Sequence, residues 1–166
     1  MTVVRGQVLL FRSSGKWYEN LICQATSGPF CHCELVLDAT HIIGAHTREG
    51  IVISTPPINP NTFTAIDITP YTTPQGIEKG LEWAARQYGK QYGYLDIAYQ
   101  AIKFLAPNNP FQITQKDHWD CSDFATRYLQ EAGVPLPEDF DDPYTMTPND
   151  IGRVFGLVAP RKAVLA

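Results

Sequence analysis

The sequence predicts one α+β domain. Strand-period runs fill its amino-terminal half, helix-period runs fill its carboxyl-terminal half, and 166 residues leave room for one core. Apolar residues make up 44% of the chain and charged residues 18%, enough apolar surface to fold without staples and too much for general disorder. The formal net charge is −4 and the basic residues are scattered, so the electrostatic footprint of a nucleic-acid binder is missing. Residues 1–10 hold only a short apolar stretch broken by Gly6 and Gln7, which does not make a signal peptide. No window approaches the roughly 18 uninterrupted apolar residues of a membrane span. The expectation is a cytoplasmic chain of residues 1–166 that would need another component to deliver it outside a cell. Cysteines at 23, 31, 33 and 121 are too few and too uneven for a disulfide framework, so reduced thiols are expected.

The elements follow in order. Gln7 to Phe11 is a short apolar run, and Cys31 to Leu37 alternates with period two after the turn chemistry of Ser27-Gly28-Pro29. His41 to His46 and Gly50 to Ser54 are the next strands, the latter stopping before Pro56-Pro57, and Phe63 to Ile68 is a fifth. Thr73 then reads as an N-cap with Pro74 at the first helical position, and Ile77, Leu81, Ala84, Ala85 and Tyr88 recur at helical spacing up to Gly89. Tyr94 to Leu105 repeats that pattern and stops at Pro107. A third helix is capped by Asp120, buries Phe124, Ala125, Tyr128, Leu129 and Ala132, and closes at Gly133 and Pro135. Pro135 to Pro148 reads as a packed acidic loop, and Val154 to Val158 as an apolar segment able to add a strand.

Cys121 stands in the first turn of that third helix, where unpaired backbone N–H groups and the positive dipole end favour a thiolate. Asp120 and Asp123 oppose the effect, so a cationic partner is needed, and a histidine must supply it. The bland alternative is a small buried apolar residue. His32 lies in the most apolar strand, sharing a face with Glu34 and Val36 while Cys31, Cys33 and Leu35 take the other. Its own bland reading is a core histidine hydrogen-bonded to Glu34. His118 is nearer in sequence but falls in a loop, and His46 is placed to reach the face that carries His32.

Taken together, Gly6-Gln7-Val8-Leu9-Leu10, Phe30-Cys31-His32-Cys33-Glu34-Leu35-Val36-Leu37, Gly89-Lys90-Gln91-Tyr92-Gly93-Tyr94, Asp120-Cys121-Ser122-Asp123-Phe124 and Thr147-Pro148-Asn149-Asp150-Ile151 resemble, in order and spacing, the circularly permuted NlpC/P60 superfamily, in particular its YiiX/YaeF-like papain-fold amidases. The resemblance spans residues 5–152. It implies a small antiparallel sheet or barrel packed against about three helices, with the histidine strand ahead of the cysteine helix. It also implies Cys121 as nucleophile with Ser122 after it, His32 as base, and Tyr92 lining the pocket or facing the oxyanion. Tyr92 has a packing role as its plain alternative. The family's third residue is an acid on the following strand, but the matching Ile43-Gly44-Ala45 lacks one. His46 is the substitute, with Glu34 behind it.

The implied reaction is acyl transfer without cofactor or metal, on a peptide or acyl substrate. A peptidoglycan linkage leads, and lipid or protein acyl groups come second by analogy with permuted relatives of the lecithin:retinol acyltransferase type. Small phage-encoded members look similar in the His32-x-Glu34 strand. Two rivals remain. One is a zinc centre drawn from Cys31 and Cys33 with His41 or His46 and upstream Cys23, although the Cys-x-Cys pair lacks the usual spacing. The other is a catalytically silent binding or virion module on the same scaffold.

Overall fold

Val8–Arg12 (β1), Phe30–Val36 (β2), Ile42–His46 (β3), Gly50–Ser54 (β4) and Phe63–Ile66 (β5) form one antiparallel sheet in the order β4-β3-β2-β1-β5. This is a computed structural model, and it describes residues 3–92, 119–138 and 146–160. Period-two alternation gives the sheet two apolar faces. Val8, Leu10, Cys33, Leu35, Ile43 and Ile51 point to the larger core, whereas Leu9, Val36, Ile42 and Phe63 join Val3 in a smaller cluster on the opposite side.

Four α-helices are present among the described residues: Trp17–Ala25 (α1), Pro74–Ala85 (α2), Cys121–Glu131 (α3) and Pro148–Val154 (α4). The Thr73 side chain accepts from the Gly76 N–H, Pro74 opens α2, and Ile77, Leu81 and Ala84 face the larger core. In α3, Phe124, Tyr128 and Leu129 are fully buried, each stabilising the fold by about 1.5–3 kcal/mol through apolar area removed from water. The Tyr128 hydroxyl donates to the Gly6 carbonyl at 2.7 Å and ties α3 to the entry of β1. None of these helices is long and apolar enough to cross a membrane.

Two segments depart from the sequence expectation. Val154 to Val158 adds no strand: Val154 ends α4, and residues 155–158 are turn and bend. The start signals lie earlier, in a capping box between Thr147 and Asp150 with Pro148 at the first helical position. Helix α1 carries no buried stripe for periodicity to reveal, since none of its residues is buried and Trp17, Tyr18 and Leu21 are exposed. The fifth strand ends at Ile66 rather than Ile68. The expected helix from Tyr94 to Leu105, His118 and residues 139–145 of the acidic loop lie outside the described residues.

Helix α4 fixes where β2 begins. The Asn149 amide donates to the Phe30 carbonyl at 2.7 Å and to Thr26 Oγ1 at 2.5 Å, and its oxygen accepts from the Phe30 N–H at 2.9 Å. Arg153 adds bonds to the Thr26 and Ser27 carbonyls, both at 2.8 Å, while paired with buried Asp150. Gly28 lets the turn lie against Asn149, whose side chain would collide with a Cβ there. Replacing Asn149 by Ala would strand the buried Phe30 N–H and C=O two residues from His32. Urea unfolding of Asn149→Ala is expected to show a loss of about 3 kcal/mol from those unmet groups; a loss below about 1 kcal/mol would mean that the clamp is not needed.

Candidate active site

Register builds the site. Strands β2 and β3 pair at Leu35↔Ile43 and Val36↔Ile42. The same register carried onward sets Glu34 across from Gly44 and His32 across from His46. The regular ladder stops after those two pairs, yet the side chains beyond it stay close, with the His32 and His46 rings 5.3 Å apart. Gly44 is required here, because a Cβ at that position would sit 2.6 Å from Glu34 Cγ. The Glu34 side chain occupies the space so left and is only 4% exposed.

His32 Nε2 lies 3.0 Å from Glu34 Oε1. His46 Nε2 lies 2.7 Å from the same oxygen, a close contact outside hydrogen-bond direction. The two imidazoles meet edge to face, with centroids 5.3 Å apart. Burial pushes the Glu34 carboxyl pKa up, but its contacts with His32 and His46 outweigh that and hold it at about 2. Glu34 is therefore an anion that grips one ring and touches a second.

Cys121 opens α3 from the other side and is almost completely buried. The Asp120 carboxylate caps the helix, accepting from the Asp123 N–H at 2.8 Å and the Ser122 hydroxyl at 2.9 Å. The thiol of Cys121 is a hydrogen-bonding and charge partner of His32. Because His32 Nε2 is turned to Glu34, Nδ1 is the ring nitrogen left for the sulfur. Cys33, on the other face of β2, donates its thiol to the Cys121 carbonyl at 2.9 Å.

These contacts set the charges. A hydrogen bond with Cys33 and the charge of His32 carry the Cys121 pKa well below the ordinary thiol value, against the opposing push of burial. Burial alone would lower the His32 pKa; the Cys121 thiolate and Glu34 reverse that and raise it to about 10. The pair is a thiolate and an imidazolium. Burial, then the neighbouring thiolate, lift Asp120 to about 7, while hydrogen bonds from residues 122 and 123 restrain the rise. Near neutral pH this carboxylate is thus partly discharged, which weakens the repulsion expected of it beside the sulfur.

Cys121, His32, Glu34 and His46 are therefore brought together. Tyr92 is buried at the same helix start, bridged to Trp119, and burial followed by the charges of Cys121 and Asp120 keeps its hydroxyl protonated. Ser122 is buried against the cap. His41 is exposed at the far end of the β2–β3 turn, 3.0 Å from Asp38. Cys31 and Cys33 do not form a ligand group with His41 or His46 among the described residues, and all four cysteines are free. A shallow depression of about 310 Å³ between residues 47–50 and 89–92 is lined by Tyr92 but by none of Cys121, His32, Glu34 and His46; a similar one on the exposed face of α2 holds none of the site residues. Sequence reasoning missed the contact of Cys33 with Cys121, since it sets Cys33 on the apolar strand face and weighs it only as a zinc ligand, and it missed Gly44, whose need appears only once register sets it opposite Glu34.

No family model and no curated protein matches this chain.

The arrangement supplies a charged nucleophile and a held proton donor. Iodoacetamide at neutral pH is expected to alkylate Cys121 at least about tenfold faster than the more exposed Cys23, and His32→Ala to erase that advantage. Equal rates at all four cysteines would mean that no such ion pair forms. Glu34→Gln is expected to slow Cys121 as well, since a neutral amide no longer favours the charged ring.

Proposed function

We propose that this chain is a cysteine hydrolase of the permuted papain-like, NlpC/P60-related kind, cleaving an amide bond through Cys121 and His32. The observation that carries the proposal is the contact between the Cys121 thiol and the His32 ring, the latter held from behind by a buried carboxylate. The histidine strand preceding the cysteine helix, and an antiparallel sheet packed on helices, support the permuted order.

The thiolate of Cys121 attacks the carbonyl carbon, and the C–N bond breaks as His32 gives its proton to the departing amine. Neutral His32 then takes a proton from water, which attacks the thioester and releases the acid and the thiolate. Glu34 keeps the ring oriented and favours its charged form. It fills, from the histidine's own strand, the place that the family gives to an acid on the next strand, with His46 at its other side. The Asp120 cap takes the Asp123 N–H and draws on that of Ser122. The Cys121 N–H is then the first-turn donor aimed at the developing oxyanion, and Tyr92 is a second, because its hydroxyl stays protonated at the same helix start. Peptidoglycan peptides are the leading substrates by family resemblance, and the depression lined by Tyr92 lies on the side from which they would approach.

The test is incubation with purified peptidoglycan peptides, read by mass spectrometry. The native chain is expected to release one fragment and to carry a transient acyl group on Cys121. Cys121→Ala is expected to release none, and His32→Ala to be slower by about 10² to 10⁴. Turnover of acyl esters or thioesters alone would keep the dyad and change the substrate class. Failure on amides, esters and thioesters alike, with Cys121 never acylated, would remove the hydrolase reading.

A further inference from the structure

The side of His32 turned away from the sulfur offers a second chemistry. His32 Nε2, a Glu34 carboxylate oxygen and His46 Nε2 all lie within 4.8 Å of one another. Two imidazoles and one carboxylate are the ligand types that select zinc and its transition-metal neighbours over calcium or magnesium. Bonds of about 2.1 Å in a tetrahedral site put neighbouring ligand atoms about 3.4 Å apart. The 2.7 and 3.0 Å contacts of Glu34 Oε1 fall just below that spacing and the 4.8 Å limit falls above it, so side-chain rotations alone close the set.

Independent observations point the same way. Glu34 Oε2 is buried with no hydrogen-bond partner among the described residues, so the carboxylate has acceptor capacity that the protein does not use. His46 Nε2 touches Glu34 Oε1 without hydrogen-bond direction, two ligand atoms in contact but not satisfied by each other. Both side chains are partly exposed, at 27% and 33%, so the cluster reaches the surface at its edge although His46 Nε2 and Glu34 Oε2 are themselves buried. Gly44 keeps the floor of the cluster open to the Glu34 side chain.

We propose that His32, Glu34 and His46 form a zinc site on the back of the dyad and that zinc bound there silences Cys121. Binding stands without the hydrolase reading; the silencing rests on it. A ring whose Nε2 is on a metal has given up the proton there and holds only the one on Nδ1, so it can no longer act as an imidazolium that protonates the departing amine. The thiolate then lacks its proton donor while its own sulfur stays unligated. The set is distinct from the cysteine-based zinc reading of the sequence, because it uses no thiolate.

The experiment titrates Zn²⁺ into the full chain and into Cys121→Ala by calorimetry. Cobalt replaces zinc in parallel, to read the ligands from its absorption spectrum. One site is expected in both chains, with affinities within about threefold, and Glu34→Gln and His46→Gln at least about tenfold weaker, a difference of about 1.4 kcal/mol. The cobalt spectrum of the unmutated chain, which needs no variant to fold, is expected to lack a thiolate charge-transfer band. Zinc is also expected to slow fragment release from the peptidoglycan peptides at least about tenfold, reversed by a chelator. Absence of saturable binding, loss of binding in Cys121→Ala, or a thiolate band would overturn the site. Binding with undiminished fragment release would overturn the silencing. If metal-free Cys121 proves slow to alkylate, the hydrolase reading fails by itself, and calorimetry on Cys121→Ala still decides the zinc site.

Discussion

A carboxylate sealed inside a protein must be given positive charge or be discharged, and Glu34 meets the imidazolium of His32, with His46 in contact with the same oxygen. That demand orders the rest of the site. With His32 held by its Nε2, its Nδ1 is left for the sulfur of Cys121, and the charge gained by the ring favours the thiolate. Each of the three groups keeps its neighbour charged, so none of the charges would be sustained at that depth alone. The chemistry therefore depends less on any one residue than on a strand geometry that puts a glutamate where its neighbour strand has only a glycine.

That geometry comes from a ladder that ends early. Two pairs join β2 to β3 in a regular ladder, and the side chains just beyond them, His32, Glu34 and His46, meet one another instead. A helix start brings N–H groups and a positive dipole end, an unfavourable neighbour for an imidazolium unless an anion stands between them. The thiolate of Cys121 is that anion. Asp120 satisfies the helix start on its own side and, being partly protonated, does not compete for the same charge. Cys33 adds a thiol that a more polar strand would not have supplied, and it does so from the face that otherwise only fills the core.

Much of this was legible in the sequence, and the gaps have physical causes. The five strands and the helices over Pro74 and Cys121 announce themselves because each buries one regular stripe and carries a cap or a turn at its ends. Helix α1 buries nothing, so no period marks it. Helix α4 is too short for a period and betrays itself only through Thr147, Pro148 and Asp150, signals overshadowed by the apolar run from Val154 that follows. The meeting of Cys121 and His32 could be guessed from residue types and their order. The part played by Glu34 could not be settled, because it turns on which residue of β3 lies opposite, and one step of slippage would have faced it with a side chain instead of a gap.

The clamp of Asn149 on Phe30 makes the site depend on residues 119 positions apart. During synthesis the histidine strand leaves the ribosome long before the sulfur that it will face, and the residue that anchors that strand leaves later still. A nascent chain thus carries an imidazole with no thiol to face, and then a thiol beside a strand not yet pinned. The cluster can close only after Asn149 has been made, so its assembly follows the order of translation rather than the order of the strands.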